Sequence, residues 1–97
     1  MPTFINLFSW TDQGIRNVKD APQRIDSFKK SVEAAGGKVI GFYLTMGKYD
    51  GVVIVECPSD DVEAVLTISA GSKGYIRTET MKAFPEDEFR NILAKVT

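Results

Sequence analysis

The sequence contains no histidine, a single cysteine and no excess of either charge, with 12 Lys and Arg against 13 Asp and Glu. Each shortage excludes a class of chemistry. Without histidine there is no imidazole for acid/base work near neutral pH, no Ser-His-Asp triad and no His-ligated haem or metal. Cys57 has no partner for an internal disulfide, so a reducing, cytoplasmic setting is expected. A net charge of −1 leaves no basic footprint for nucleic acid. No apolar run approaches the ~20 residues of a membrane helix, and the first residues lack a signal-peptide pattern. Gly36-Gly37 and Gly71-Ser72-Lys73-Gly74 are too short and wrongly spaced for a phosphate-binding or dinucleotide loop. Neither a cofactor nor a metal is expected.

What is present is a β-rich centre. Lys38 to Cys57 holds two runs of β-branched and aromatic residues around the turn Thr45-Met46-Gly47-Lys48-Tyr49-Asp50-Gly51. Such residues favour a packed, pleated setting, and Gly and Asp supply turn conformations, so this stretch reads as a β-hairpin. Thr3 to Ser9 is a first strand, followed by a polar loop from Thr11 to about Asp20. Ile25, Phe28, Val32 and Ala35 recur at helical spacing over Ala21 to Ala35, with Asp20 as the expected N-cap and Gly36-Gly37 as the stop. Ser59-Asp60-Asp61-Val62-Glu63 opens a second helix, with Asp60 and Glu63 at capping-box spacing and Val62, Val65, Leu66 and Ser69 facing inward. Tyr75 to Lys82 is a fourth strand. A last helix follows Phe84-Pro85, with Phe89, Ile92, Leu93 and Val96 on one side.

The 97 residues therefore read as one domain, 1–97, of class α+β. The order βαββαβ with a C-terminal helix most simply gives a ferredoxin-like, four-stranded antiparallel sheet with both main helices on one face. Strand alternation places Ile5, Leu7, Ile40, Phe42, Leu44, Val53, Val55, Ile76 and Thr78 beneath those helices. The opposite face then carries Phe4, Asn6, Phe8, Val39, Tyr43, Val52, Ile54, Glu56, Arg77, Glu79 and Met81. That second face is too apolar to stand bare, and a homodimer, or a higher homo-oligomer, built through it is expected.

The polar residues on that face form the candidate site. Asn6, Glu56, Arg77 and Glu79 lie on neighbouring strands near Tyr43, where two packed sheets would leave a cavity. One reading is an Arg-carboxylate network that fixes the dimer register. The other is a pocket in which Arg77 grips an anionic or carbonyl group while the aromatic rings stack on the ligand. In the hairpin turn, Asp50 suits bonds to nearby backbone amides and Tyr49 suits a loop anchor, which accounts for both without catalysis. Cys57, with no histidine to activate it, reads as a small packed hydrophobe. Met1-Pro2 raises an N-terminal-proline tautomerase, against which stands how common proline is after an initiator Met.

The run Phe42-Tyr43-Leu44-Thr45-Met46-Gly47-Lys48-Tyr49-Asp50 and the later Gly74-Tyr75-Ile76-Arg77-Thr78-Glu79-Thr80-Met81-Lys82-Ala83-Phe84 resemble the signature and closing strand of the GYD domain family. The resemblance implies a dimeric α+β barrel and brings no established reaction or catalytic residue. A similar Gly-x-Tyr-Asp turn occurs in the effector-sensing domains of Lrp-type regulators, but no helix-turn-helix precedes it here, so direct DNA contact is not expected. Related barrels also include haem-degrading and antibiotic-biosynthesis monooxygenases; some place an asparagine where Asn6 stands, but the haem-binding histidine has no counterpart.

The function expected from the sequence is a homo-oligomeric module that binds a small anionic or aromatic metabolite between sheets through Asn6, Tyr43, Glu56, Arg77 and Glu79, with Gly47, Tyr49 and Asp50 as the motif turn. Two alternatives stand beside it. One is a cofactor-independent isomerase or monooxygenase in the same cavity, with Glu79, Glu56 or Tyr49 carrying the proton. The other is a purely structural dimer.

Overall fold

Alternating strands and amphipathic helices give the expected architecture in the computed structural model, which describes all residues from Met1 to Thr97. Strand β1 spans Thr3–Trp10, helix α1 Asp12–Arg16 and helix α2 Ala21–Ala34. Strands β2 (Lys38–Leu44) and β3 (Gly51–Glu56) form the hairpin; α3 (Asp60–Ser72), β4 (Ile76–Ala83) and α4 (Glu86–Leu93) complete the chain. The sheet order is β2-β3-β1-β4, and all three pairings are antiparallel, which is the ferredoxin-like arrangement. No helix is long and apolar enough to cross a membrane.

Two local expectations give way to better capping. The stretch after Trp10 is not a loop: Thr11 caps α1 by accepting a hydrogen bond from Gly14 N–H at 3.1 Å, and a 3-10 turn at Val18–Asp20 leads directly into α2. Asp20 therefore has helical backbone and makes no side-chain cap. At α3, Ser59 is the N-cap and accepts from Val62 N–H at 3.3 Å, while Glu63 turns inward instead of closing a capping box.

The sheet faces differ from simple alternation in two places. In β1 the residues beneath the helices are Phe4, Asn6 and Phe8, which are 4, 2 and 7% exposed. They pair with Val55, Val53 and Gly51 of β3, so Ile5 and Leu7 lie on the open face. β1 is apolar on both faces, and burying two aromatic rings outweighs burying one asparagine that finds a hydrogen bond. In β2 the register to β3 slips between Val39 and Gly41. This bulge at Ile40 lets Val39 and Phe42, which differ in parity, both pack on the core, and turns Ile40 outward. Gly51 has a steric reason: a Cβ there would collide with the Phe8 ring.

The buried cluster consists of Phe4, Val32, Val53, Val55, Cys57 and Leu66. Only 12 of 97 residues are buried, leaving much apolar surface for another molecule to cover. Ile5, Leu7, Val52 and Ile54 are half-buried on the open face beside exposed Tyr43 and Met81. Helix α4 has no buried residue, and Phe89, Ile92 and Leu93 are exposed along it.

The register makes a test. Phe4→Ala should cost about 3–5 kcal/mol in urea unfolding, as expected for an emptied core ring, and Ile5→Ala clearly less. The reverse order would return Ile5 to the core.

Candidate functional site

The residues expected to share a site lie on two faces of the sheet. Tyr43, Glu56, Arg77 and Glu79 are on the open face, where Tyr43 pairs with Val52, Glu79 with Leu7 and Arg77 with Ser9. Asn6 faces the helices instead. The open face holds no cavity within one chain, and Arg77 forms no ion pair there. Glu79 instead accepts the hydroxyl hydrogen of Tyr49, and this bond, then partial burial and the carboxylate charge, raises the phenol's pKa.

The motif turn fastens the hairpin to the middle of the sheet. Asp50 Oδ2 accepts Trp10 N–H at 2.9 Å, and Asp50 N–H donates to the Phe8 carbonyl at 2.8 Å. Thr45 closes the turn from inside, donating its hydroxyl to the Tyr49 carbonyl at 2.7 Å and its N–H to the Asp50 carbonyl at 3.0 Å. Gly47 has φ +126°, which side chains rarely adopt. The Tyr49-Asp50 pair thus ties the turn to β1 and β4.

What Trp10 borders is the main cavity, about 520 Å³, between the sheet and helices α2 and α3. Its floor is sheet, with Asn6, Phe8, Phe42, Val53 and Thr78. Its walls are mainly apolar residues of α2 and α3, among them Ile25, Phe28, Val65 and Leu66. The Phe8 ring is 5.7 Å from Phe42 and meets Trp10 edge-on at 6.1 Å, so the aromatic floor is preorganised. Volume and lining fall in the range of small-molecule sites. The charged side chains on the cavity are Arg24 and Lys73, and no Asp, Glu or Cys lines it.

Beside this floor lies a buried polar group that sequence patterning did not reveal. Asn6 Oδ1 accepts the Thr80 hydroxyl at 2.7 Å. Glu63 is 2% exposed, and its Oε1 lies 3.7 Å from the Cys57 thiol. Asn6 Nδ2 and Glu63 Oε2 are both buried without a hydrogen bond of normal geometry, although the Asn6 amide lies close enough to favour the ionised carboxylate. Burial outweighs that help and raises the Glu63 pKa. Burial, followed by the Glu63 charge, pushes the Cys57 thiol up to about 11, so it stays protonated and inert near neutral pH. The signal for Glu63 was its place three residues before buried Leu66, on the inward face of α3. No three His, Cys, Asp or Glu side chains gather to hold a metal ion.

These elements define a ferredoxin-like α+β domain with an aromatic cavity under its helices. A family model for the GYD domain matches residues 4–93, and the chain belongs to that family. It is 34% identical over 86 residues to a Thermus thermophilus protein named glutamine synthetase and cystathionine beta-lyase binding protein, covering 88% of this chain and 90% of that one. Among solved structures, the leucine response regulatory protein of Mycobacterium tuberculosis is similar with TM-score 0.65 at 17% identity, over 87% of this chain and 51% of that one. A feast or famine regulatory protein of M. tuberculosis, complexed with L-methionine, is similar with TM-score 0.66 at 16% identity, over 88% of this chain and 51% of that one. The chain spans about half the length of these regulators, and at such identities the likeness is one of fold.

Glu63 generates a pH prediction. Its folded pKa lies above its unfolded value, so the folded state holds the proton longer. Its stabilising contribution is full below the ordinary carboxylate range and is lost as pH rises through that range toward the folded pKa. Glu63→Gln should remove this loss, so its Tm relative to wild type should be higher at pH 8 than at pH 4. An equal difference at both values would show that Glu63 titrates normally.

Proposed function

We infer that this GYD-domain chain is a binding module that holds a small, largely apolar molecule in the cavity between its sheet and helices. The observation that carries the reading is the cavity itself, an apolar and aromatic space of about 520 Å³ with a few polar groups at fixed positions. Its lining offers no carboxylate, imidazole or thiol to move a proton, which favours binding over the isomerase or monooxygenase alternative. Relative to the sequence expectation, the ligand moves from between two sheets to beneath the helices, and of the expected contacts Asn6 remains.

A thermal-shift screen of apolar and aromatic small molecules tests this. A ligand of the cavity should raise the Tm of wild type and of Arg77→Ala, and should leave Val65→Trp and Ala70→Trp, which fill the space, unshifted. A compound whose effect survives both cavity-filling changes and disappears in Arg77→Ala would move the site to the open face.

A second reading, supported by the apolar open face, is assembly with protein. There the module works as a homo-oligomer that buries Leu7, Val52, Ile54 and Met81 against a second copy, and the exposed Phe89, Ile92 and Leu93 of α4 supply a further apolar surface. The Thermus relative, named for binding glutamine synthetase and cystathionine beta-lyase, supports a protein partner of this kind. Light scattering checks the homo-oligomer: wild type should have at least twice the mass of one chain, and Ile54→Arg should be monomeric with an intact far-UV spectrum. A monomeric wild type would remove this reading.

A further inference from the structure

We propose that the ligand of the sheet–helix cavity is an aromatic carboxylate, its ring on the Phe8–Phe42 floor and its anionic end held at the rim by Arg24 and Lys73. This rests on the cavity being the binding site. It adds the charge of the ligand and the residues that read it.

Three observations lead there. The charged side chains lining the cavity are both cations, Arg24 from α2 and Lys73 at the end of α3, in a chain whose net charge is −1. Neither forms an ion pair; the two salt bridges of the chain are Lys82–Asp60 and Arg90–Glu86, both elsewhere. Two unpaired cations beside an apolar hollow attract an anion, and low-dielectric walls strengthen that attraction.

Arg24 is also held in place. Its Nη2 donates to the Asn17 carbonyl at 3.1 Å, and its guanidinium sits 4.2 Å from the centroid of the Tyr75 ring. One bond and one stacking contact fix the plane and leave other guanidinium N–H groups free for a carboxylate. Such preorganisation lowers the entropy cost of gripping a ligand at an otherwise mobile side chain.

The body of the ligand follows from the floor. Phe8, Phe28 and Phe42, with Trp10 and Tyr75 at the margin, present aromatic faces and edges that suit a planar ring better than a flexible chain. No acidic side chain lines the space to repel the anion.

Isothermal titration of the full chain with indole-3-propionate, its neutral amide and decanoate decides the matter. Wild type should bind the indole acid about tenfold more tightly than its amide, and more tightly than decanoate. Lys73→Gln and Arg24→Gln should each erase most of the acid preference while leaving amide affinity within about twofold. Lys73→Gln is the cleaner arm, since Lys73 makes no contact that the fold depends on, whereas Arg24 also holds Asn17 and Tyr75. Lys48→Gln, outside the cavity, should change nothing. Equal affinity for acid and amide in wild type, or an acid preference that survives both changes, would overturn the charge assignment and leave the cavity reading standing. Tighter binding of decanoate would overturn the aromatic assignment. Binding of none of the three would overturn the proposal together with the cavity reading.

Discussion

The carboxylate of Asp50 meets the backbone N–H of Trp10 where β1 ends, and the remaining architecture depends on that contact. β1 lies between β3 and β4, so its last residue must leave the sheet without leaving an unpaired amide. Asp50 supplies the acceptor, and the turn that carries it is pinned to β1 by its own N–H and to β4 by the Tyr49–Glu79 bond. Thr11 then takes over, bonding the Tyr75 carbonyl through its N–H and the Gly74 carbonyl through its hydroxyl at 2.6 Å while capping α1. The result holds the Trp10 ring at the edge of the Phe8–Phe42 floor. The GYD turn thus serves the cavity from a distance, as a positioning device.

The interior combines a small apolar cluster with one polar set. Asn6, Glu63 and Cys57 occupy space that aliphatic side chains would fill at lower desolvation cost, and the exposed Thr80 of β4 reaches in to bond Asn6. Asn6 is the member that reaches the cavity, so the polar set marks the cavity's inner end and links the floor to α3. Burial, more than any neighbouring group, raises the Glu63 pKa.

The fold was legible because its signals were local: strand propensity around a Gly-Asp turn, helical spacing between Ile25 and Ala35, and Gly36-Gly37 as a stop. The site was less legible because it depends on which face each strand shows. In β2, β3 and β4 the assignments of Phe42, Val53, Val55, Arg77 and Glu79 agree with the observed pairing. In β1 both faces are apolar, so the single Asn6 suggested an outward face; Thr80, 74 residues away, supplies the partner that lets it turn inward. The bulge at Ile40 has no sequence mark beyond Gly41, and it moves Val39 to the core face. Glu63 sat in a capping-box spacing whose local logic gave way to burial against Cys57. Arg24 and Lys73 border one cavity only because α2 and α3 lie over the same sheet face, an arrangement that spacing along the chain does not encode.

The protein carries its own reporter of where the ligand sits, since Trp10 is the single tryptophan of the chain and lines the cavity. The decisive measurement is a fluorescence titration with a brominated aryl carboxylate, because bromine quenches an indole only on close approach. Binding in the cavity predicts saturable quenching of Trp10 that parallels the calorimetric isotherm and disappears in Ala70→Trp once the added tryptophan's own signal is subtracted. Calorimetric binding that leaves Trp10 emission unchanged would contradict a site in the cavity and place the ligand on the open face of the sheet or along α4.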